Sequence, residues 1–151
     1  MTESPRAWPL RALRILLPVT GLFLVMEYIA GLWTSAYGPA NGFTSSTAFP
    51  SLSAHYGLGY ALGVLAVLVL VVSFFSGQRR LIVQAAVLIV SVGVAGVAGM
   101  AFVRSAPNAP IDSVVMGIAF LFAFWAALML VAATMRSRPS APVRPSDPAG
   151  A

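Results

Sequence analysis

The sequence predicts an all-α membrane protein in which four transmembrane helices form an up-down-up-down bundle with both termini in the cytoplasm. Of its 151 residues, 59% are hydrophobic and only 9% are charged, which is far from the composition of a soluble domain. The apolar residues also gather into four long runs, and most arginines flank these runs on one side. We therefore expect the chain to lie in the cell membrane, with the lipid bilayer as its first partner.

The apolar runs predict helices at about residues 10–33, 54–75, 81–103 and 113–135. In a helix, a run of roughly 22 residues is about 33 Å long, which is enough to cross a hydrocarbon core of about 30 Å. Strands of a membrane barrel would alternate apolar and polar residues, and these runs do not. The predicted transmembrane domain therefore covers residues 10–135.

The segments outside this domain are predicted from their composition and length. Residues 1–9 are predicted to form a cytoplasmic segment. Residues 136–151, which contain four prolines, are predicted to form a disordered cytoplasmic tail. The short loops at 76–80 and 104–112 make the helices that they join antiparallel neighbours. The longer loop at 34–53 carries Tyr37, Phe43 and Phe49, which favour an interfacial anchor, with a lid or partner surface as the alternative.

The positions of the arginines set the predicted orientation. They precede the first helix, join the second to the third, and follow the fourth, at Arg6, Arg11, Arg14, Arg79, Arg80, Arg136, Arg138 and Arg144. By the positive-inside rule, these segments are cytoplasmic. The net charge of +5 is then a consequence of topology, and we expect no nucleic-acid partner.

Small residues are expected to pack the helices together. Lipid provides little hydrophobic drive between helices, so close backbone approach has to supply the packing. Candidate packing positions are Gly59, Gly63, Gly93, Gly96, Gly99 and Gly117. We expect mainly contacts within the chain, with a homo-oligomer or another membrane protein as the alternative partner. Leucine at Gly59 or Gly96 should then damage folding.

Glu27 is the polar residue that the membrane environment explains least. It lies about 9 Å inside the predicted outer boundary, where a charged group costs up to about 3 kcal/mol. It therefore has to be neutral, paired or hydrated. One helical stripe carries Thr20, Leu24, Glu27, Gly31 and Thr34, and we expect this stripe to face the bundle.

Four further residues complete a candidate polar cluster near the outer face: His55, Tyr60, Arg104 and Asp112. Helix rise places Tyr60 nearest to Glu27 in depth, so a direct contact with His55 requires offset helices, and water or Tyr60 would otherwise bridge them. Asp112 is expected to cap the fourth helix, and Arg104 is expected to extend to the interface. The alternative is a salt bridge of Arg104 with Asp112 or with Glu27.

The sequence offers only weak candidates for a metal or haem site. With no cysteine, the remaining candidate ligands are His55, Met26, Met100 and Met116, a set that suits Cu(I). A single histidine cannot provide bis-histidine haem ligation within one chain. No cofactor is therefore predicted, and haem and copper remain alternatives. Hydrolytic motifs such as HExxH are absent, which favours a non-enzymatic role.

The strings MEYIAGLW, SAHYGLGYALG and GMAF resemble small bacterial four-helix integral membrane proteins of uncharacterised function. A fainter similarity links His55 and its spaced glycines, Gly59 and Gly63, to four-helix haem or quinone membrane modules. Two hypotheses follow. The chain is a non-enzymatic accessory or interaction subunit with a polar cluster near its outer face, or it is a redox or ligand-binding module that holds haem, quinone or copper through His55 and Glu27.

Overall fold

A computed structural model describes residues 7–37, 49–104 and 110–136, and every long element in these ranges is an α-helix. The helices are α1 (Ala7–Tyr37), α2 (Phe49–Ser76), α3 (Arg79–Arg104) and α4 (Pro110–Arg136). Each is long and apolar enough to cross a membrane. The prediction of an all-α protein with four membrane-length helices is therefore confirmed.

The first helix begins earlier than the sequence pattern indicates. Ala7, Trp8 and Pro9, assigned above to an N-terminal segment, belong to α1. The Trp8 ring packs against Phe75 of α2 with 5.6 Å between ring centroids. Proline is compatible with a first helical turn because no backbone N–H there has an intrahelical partner. Hydropathy alone detects neither the contact between Trp8 and Phe75 nor the proline in the first helical turn.

The second and fourth helices also begin before their apolar runs. α2 starts at Phe49 and α4 at Pro110, a residue type favoured at the first helical position. The predicted 34–53 and 104–112 loops are correspondingly shorter. Phe43, the side chains of Tyr37 and Phe49, and the tail at 137–151 lie outside the described residues, so the predictions made for them stay predictions.

The four helices form a ring in which each packs against the next and α4 packs against α1. α1 and α2 are closely packed, as are α3 and α4, whereas α2 and α3 make less extensive contact and α1 and α4 the least. Gly77 turns the chain between α2 and α3 with a φ of 65°, a left-handed conformation that glycine adopts without strain. The centre is filled by leucine and alanine side chains: Leu13, Leu17, Leu24, Leu62, Leu88, Leu130, Ala66, Ala85, Ala123 and Ala126.

The stripe predicted on α1 does face the bundle. Thr20 and Leu24 are fully buried, and Glu27 and Thr34 are each 6% exposed. Both threonine hydroxyls donate to carbonyl oxygens one turn earlier in α1, at 2.8 Å. The hydroxyls are therefore satisfied within their own helix, whereas the Glu27 carboxyl group needs a partner from another helix.

Alanine, rather than glycine, provides the close packing of α3. Its buried face includes Ala85, Ala95 and Ala98, whereas Gly93 and Gly96 are exposed. No atom lies within 4 Å of where a Cβ would stand on four of the six predicted packing glycines: Gly63, Gly93, Gly96 and Gly117. These four glycines therefore meet no neighbouring helix at their Cβ positions, and on α3 the face that carries Gly93 and Gly96 lies beside the buried face.

Two of the predicted glycines do lie against neighbouring side chains. A Cβ on Gly99 would be 3.5 Å from the Met116 sulfur, an ordinary contact, and one on Gly59 would be 3.1 Å from Glu27 Oε1. Gly59 therefore makes room for the Glu27 carboxylate. It does not bring two helix backbones together.

Candidate functional site

A buried carboxylate and an imidazole meet between α1 and α2. Glu27 Oε1 lies 3.0 Å from His55 Nδ1, and their side chains are 7% and 16% exposed, respectively. Among the described residues this is the only carboxylate brought to ion-pair distance of a basic side chain. Pairing is the means by which a carboxyl group is tolerated deep in an apolar bundle.

This direct contact arises because the two helices are offset. From the helix bounds, about 15 Å of α1 follows Glu27, and about 9 Å of α2 precedes His55. The end of α1 therefore extends roughly one turn past the start of α2. Water and Tyr60, the alternatives in the sequence-based prediction, are not needed to connect the two side chains.

The contact leaves acceptor capacity unused. Glu27 Oε2 is buried and has no hydrogen-bond partner. The 3.0 Å contact also does not satisfy hydrogen-bond geometry at His55 Nδ1, so the ring and the carboxylate are close but not aligned. An unpaired buried carboxylate oxygen is unfavourable by about 1–3 kcal/mol or more. The pair can therefore accept a further hydrogen bond from a donor that reaches it.

Two glycines make room for the pair, one on each helix. A Cβ on Gly31 would be 3.5 Å from His55 Cε1, and a Cβ on Gly59 would be 3.1 Å from Glu27 Oε1. The helix of each polar residue thus carries a glycine that accommodates the partner's side chain. Sequence reasoning placed Gly31 on the Glu27 stripe and Gly59 among the packing residues, but it did not connect either glycine with the pair.

The pair lies on the wall of an apolar cavity of about 150 Å³ that all four helices contribute to. Its other walls are almost entirely hydrocarbon, so the carboxylate and the imidazole are its strongest polar groups. The further lining residues are Leu24, Tyr56, Gly59, Tyr60, Leu62, Val92, Ala95, Gly96, Gly99, Met100, Val103, Met116, Phe120 and Ala123. A mostly apolar pocket with a few convergent polar groups is the usual form of a small-molecule site.

The structure does not bring the rest of the predicted cluster to this pair. Tyr60 lines the cavity but is 75% exposed. Arg104 is exposed at the end of α3, and among the described residues it forms no ion pair with Asp112 or with Glu27. Asp112 lies in the first turn of α4, where its negative charge interacts favourably with the positive end of the helix dipole. The alternative of an Arg104 ion pair is therefore not observed among these residues.

The three methionines predicted as candidate metal ligands lie in two environments. Met100 and Met116 line the cavity together with His55, whereas Met26 is 41% exposed and is not part of the lining. In the described part of the chain, no three histidine or acidic side chains are grouped as they would be around a metal ion.

Polar side chains in the other half of the bundle do not extend the site. Ser73 and Thr134 donate to carbonyl oxygens of their own helices at 2.7 and 2.8 Å. Gln84 Oε1 is buried without a partner, but the Gln84 side chain does not line the Glu27 cavity. The described residues thus provide no continuous chain of polar groups from Glu27 along the bundle.

The fold and this pair define a small four-helix protein of membrane-spanning composition, with a carboxylate–imidazole pair beside an apolar cavity. No protein-family model, curated protein or solved structure matches the chain. The resemblance to small four-helix membrane proteins is accordingly supported by the four apolar helices alone.

Alanine substitutions at two glycines of α2 test whether Gly59 is required for the pair. Ala at Gly63 meets open space and should leave the unfolding temperature unchanged or raise it, since alanine is the better helix former. Ala at Gly59 would place its Cβ 3.1 Å from Glu27 Oε1, so the carboxylate has to shift by a few tenths of an ångström. We expect this shift to destabilise the protein by about 1 kcal/mol relative to Gly63→Ala. Thermal unfolding in detergent measures the difference, and equal midpoints would contradict the tight contact.

Proposed function

We propose that the protein spans the cell membrane four times, with an up-down-up-down arrangement and both termini in the cytoplasm. The distribution of arginines supports this orientation by the positive-inside rule. Contacts at both ends of the α1–α2 pair, Glu27 with His55 and Trp8 with Phe75, agree with antiparallel crossing. In this orientation, the Glu27–His55 pair lies in the outer half of the bundle.

Single cysteines test the orientation directly, because the natural sequence has none. In intact cells, a membrane-impermeant maleimide should label Asn108→Cys, which lies in the proposed outer loop. It should label Ser140→Cys, in the proposed cytoplasmic tail, only after the cells are permeabilised. The reverse pattern would contradict the orientation, and mass-shift gels distinguish the two results.

Within this topology, we propose a non-enzymatic accessory or interaction subunit whose polar cluster contacts a ligand or a membrane partner. The observation that carries the proposal is the Glu27 side chain, which lines the cavity and has one buried carboxyl oxygen, Oε2, without a hydrogen-bond partner. A donor group from a bound molecule would complete its hydrogen bonding. Nothing in this role requires a nucleophile or a proton path along the bundle.

Substitutions at Glu27 test whether binding depends on this side chain. The tagged protein, extracted from its native membranes in mild detergent, should retain a copurifying molecule or protein. Glu27→Gln keeps an acceptor oxygen and should retain most of it, whereas Glu27→Leu removes the acceptor and should lose about tenfold or more. Mass spectrometry of the eluate measures retention, and Gly117→Leu, an exposed change outside the cavity, is the control.

Two other results of this experiment would change the proposal. Equal retention by wild type and Glu27→Leu would contradict a role for the pair in binding. Equal loss in both Glu27 variants, with unfolding temperatures unchanged, would indicate that an ionised carboxylate and not merely an acceptor oxygen is required.

A redox or ligand-binding module is the second candidate function, and the shared cavity wall of His55, Met100 and Met116 favours it. An imidazole with two thioethers is a ligand set suited to Cu(I). A quinone headgroup is the other candidate. The cavity, at about 150 Å³, is below the range of roughly 300–1,000 Å³ typical of drug-sized ligands, which argues against a haem inside it.

Copper binding is tested by loading the purified protein with Cu(I) under anaerobic conditions. If the protein is a copper-binding module, about one copper ion per chain should remain after desalting, and His55→Ala should lose it. Met26→Leu, which alters a methionine outside the cavity, should not. Copper retained equally by wild type and His55→Ala would contradict this site, and elemental analysis provides the measurement.

A further inference from the structure

A groove between α2 and α3 adjoins the Glu27 cavity. It has a volume of about 510 Å³, and Gly59, Tyr60 and Val92 line both spaces. The rest of its wall is aliphatic or glycine: Gly63, Val64, Val67, Leu68, Ile89 and Gly93. The two spaces therefore adjoin each other and share part of their walls.

The cavity opens on the α2–α3 side of the bundle. Of the residues that line it, Tyr60 on α2 is 75% exposed and Met100 on α3 is 40% exposed. The lining residues of α1 and α4 are buried, for example Leu24 at 0% and Phe120 at 9%, except Met116, which is half-buried. In a bundle that crosses a bilayer, this side faces acyl chains, so a membrane-soluble molecule can enter laterally.

Glycines leave the space that forms the groove. No atom lies within 4 Å of the Cβ position on Gly63 or Gly93, one on each helix of the seam. Larger residues at these positions would project into the space. The groove thus has open space and the apolar wall that a hydrocarbon chain requires.

The Glu27 cavity differs from the groove because a carboxyl group lines it. Glu27 is 6% exposed, and its Oε2 has no partner, so the missing group is a hydrogen-bond donor. A cavity of about 150 Å³ can hold one benzene-sized ring. These two requirements together describe a single ring that carries a hydroxyl group.

We propose that the Glu27 cavity and the α2–α3 groove form one binding site for an amphiphile with a hydroxylated single-ring head and an apolar chain. The ring hydroxyl donates to Glu27 Oε2, and the chain lies along Gly63 and Gly93. This inference rests on the ligand-contacting role proposed above for the Glu27 cluster, and it specifies the ligand's chemical class.

The test uses the full chain in lipid nanodiscs and a defined probe, 4-octylphenol with a diazirine at the end of its alkyl chain. Photolysis should label α2 and α3 at groove residues such as Val64, Leu68 and Ile89, as located by peptide mass spectrometry. Unmodified 4-octylphenol should compete at least about tenfold better than 4-octylanisole, which lacks the hydroxyl donor. Glu27→Leu should abolish this preference.

Two glycine substitutions provide a matched comparison. Gly93→Leu fills the groove and should weaken competition about tenfold or more. Gly117→Leu makes the same change at another open glycine, on α4, and should have no effect. Gly63→Leu fills the groove from α2 and replaces Gly93→Leu in the comparison if that variant does not retain the wild-type unfolding temperature.

Several results would overturn the assignment. Equal competition by the phenol and its methyl ether would exclude the hydroxyl donor, and equal labelling of Gly93→Leu and Gly117→Leu would exclude the groove. Labelling spread over all exposed helix faces would indicate simple partition into lipid. A copurifying partner protein without saturable probe binding would leave the accessory role intact and refute the amphiphile site. Saturable probe binding without a copurifying protein would support the amphiphile site and refute only the contact with a partner protein.

Discussion

The contact between Glu27 and His55 is the interaction on which the rest of the candidate site depends. A carboxyl group deep in an apolar bundle is unfavourable by several kcal/mol unless a partner compensates it, and the nearest polar groups of α1 already bond to their own backbone. The compensating imidazole comes from α2 at 3.0 Å. The contact accompanies an offset between α1 and α2, and it leaves little room for a Cβ at Gly59, where the Glu27 side chain meets α2.

The bundle combines tight and open seams, and this difference separates structural from functional surfaces. Alanine and leucine fill the centre of the ring, so the α1–α2 and α3–α4 pairs can pack closely. The α2–α3 and α1–α4 seams are less closely packed, and the α2–α3 seam holds a groove lined by Gly59, Gly63 and Gly93. Because the cavity beside the polar pair shares Gly59, Tyr60 and Val92 with this groove, a polar acceptor and an apolar groove adjoin each other.

Much of the architecture follows from local sequence, whereas much of the site does not. Hydropathy was sufficient to find four helices, but it missed the first turn of α1, where Trp8 packs on Phe75, and the starts of α2 and α4. The stripe containing Glu27 was predictable from the helical repeat. The role of glycine was not, since Gly59 and Gly93 look alike in sequence but meet a carboxylate and open space, respectively.

The sequence by itself determined the class of protein, the number of helices, the face of α1 that is buried, and the presence of one acid that needs a partner. These properties depend on composition and periodicity, which are local. Only the tertiary structure decided that His55 and not Arg104 or Tyr60 is beside Glu27, that one carboxylate oxygen is left unpaired, and that a cavity opens between α2 and α3. Those outcomes depend on the relative shift and spacing of helices, which one-dimensional periodicity does not encode.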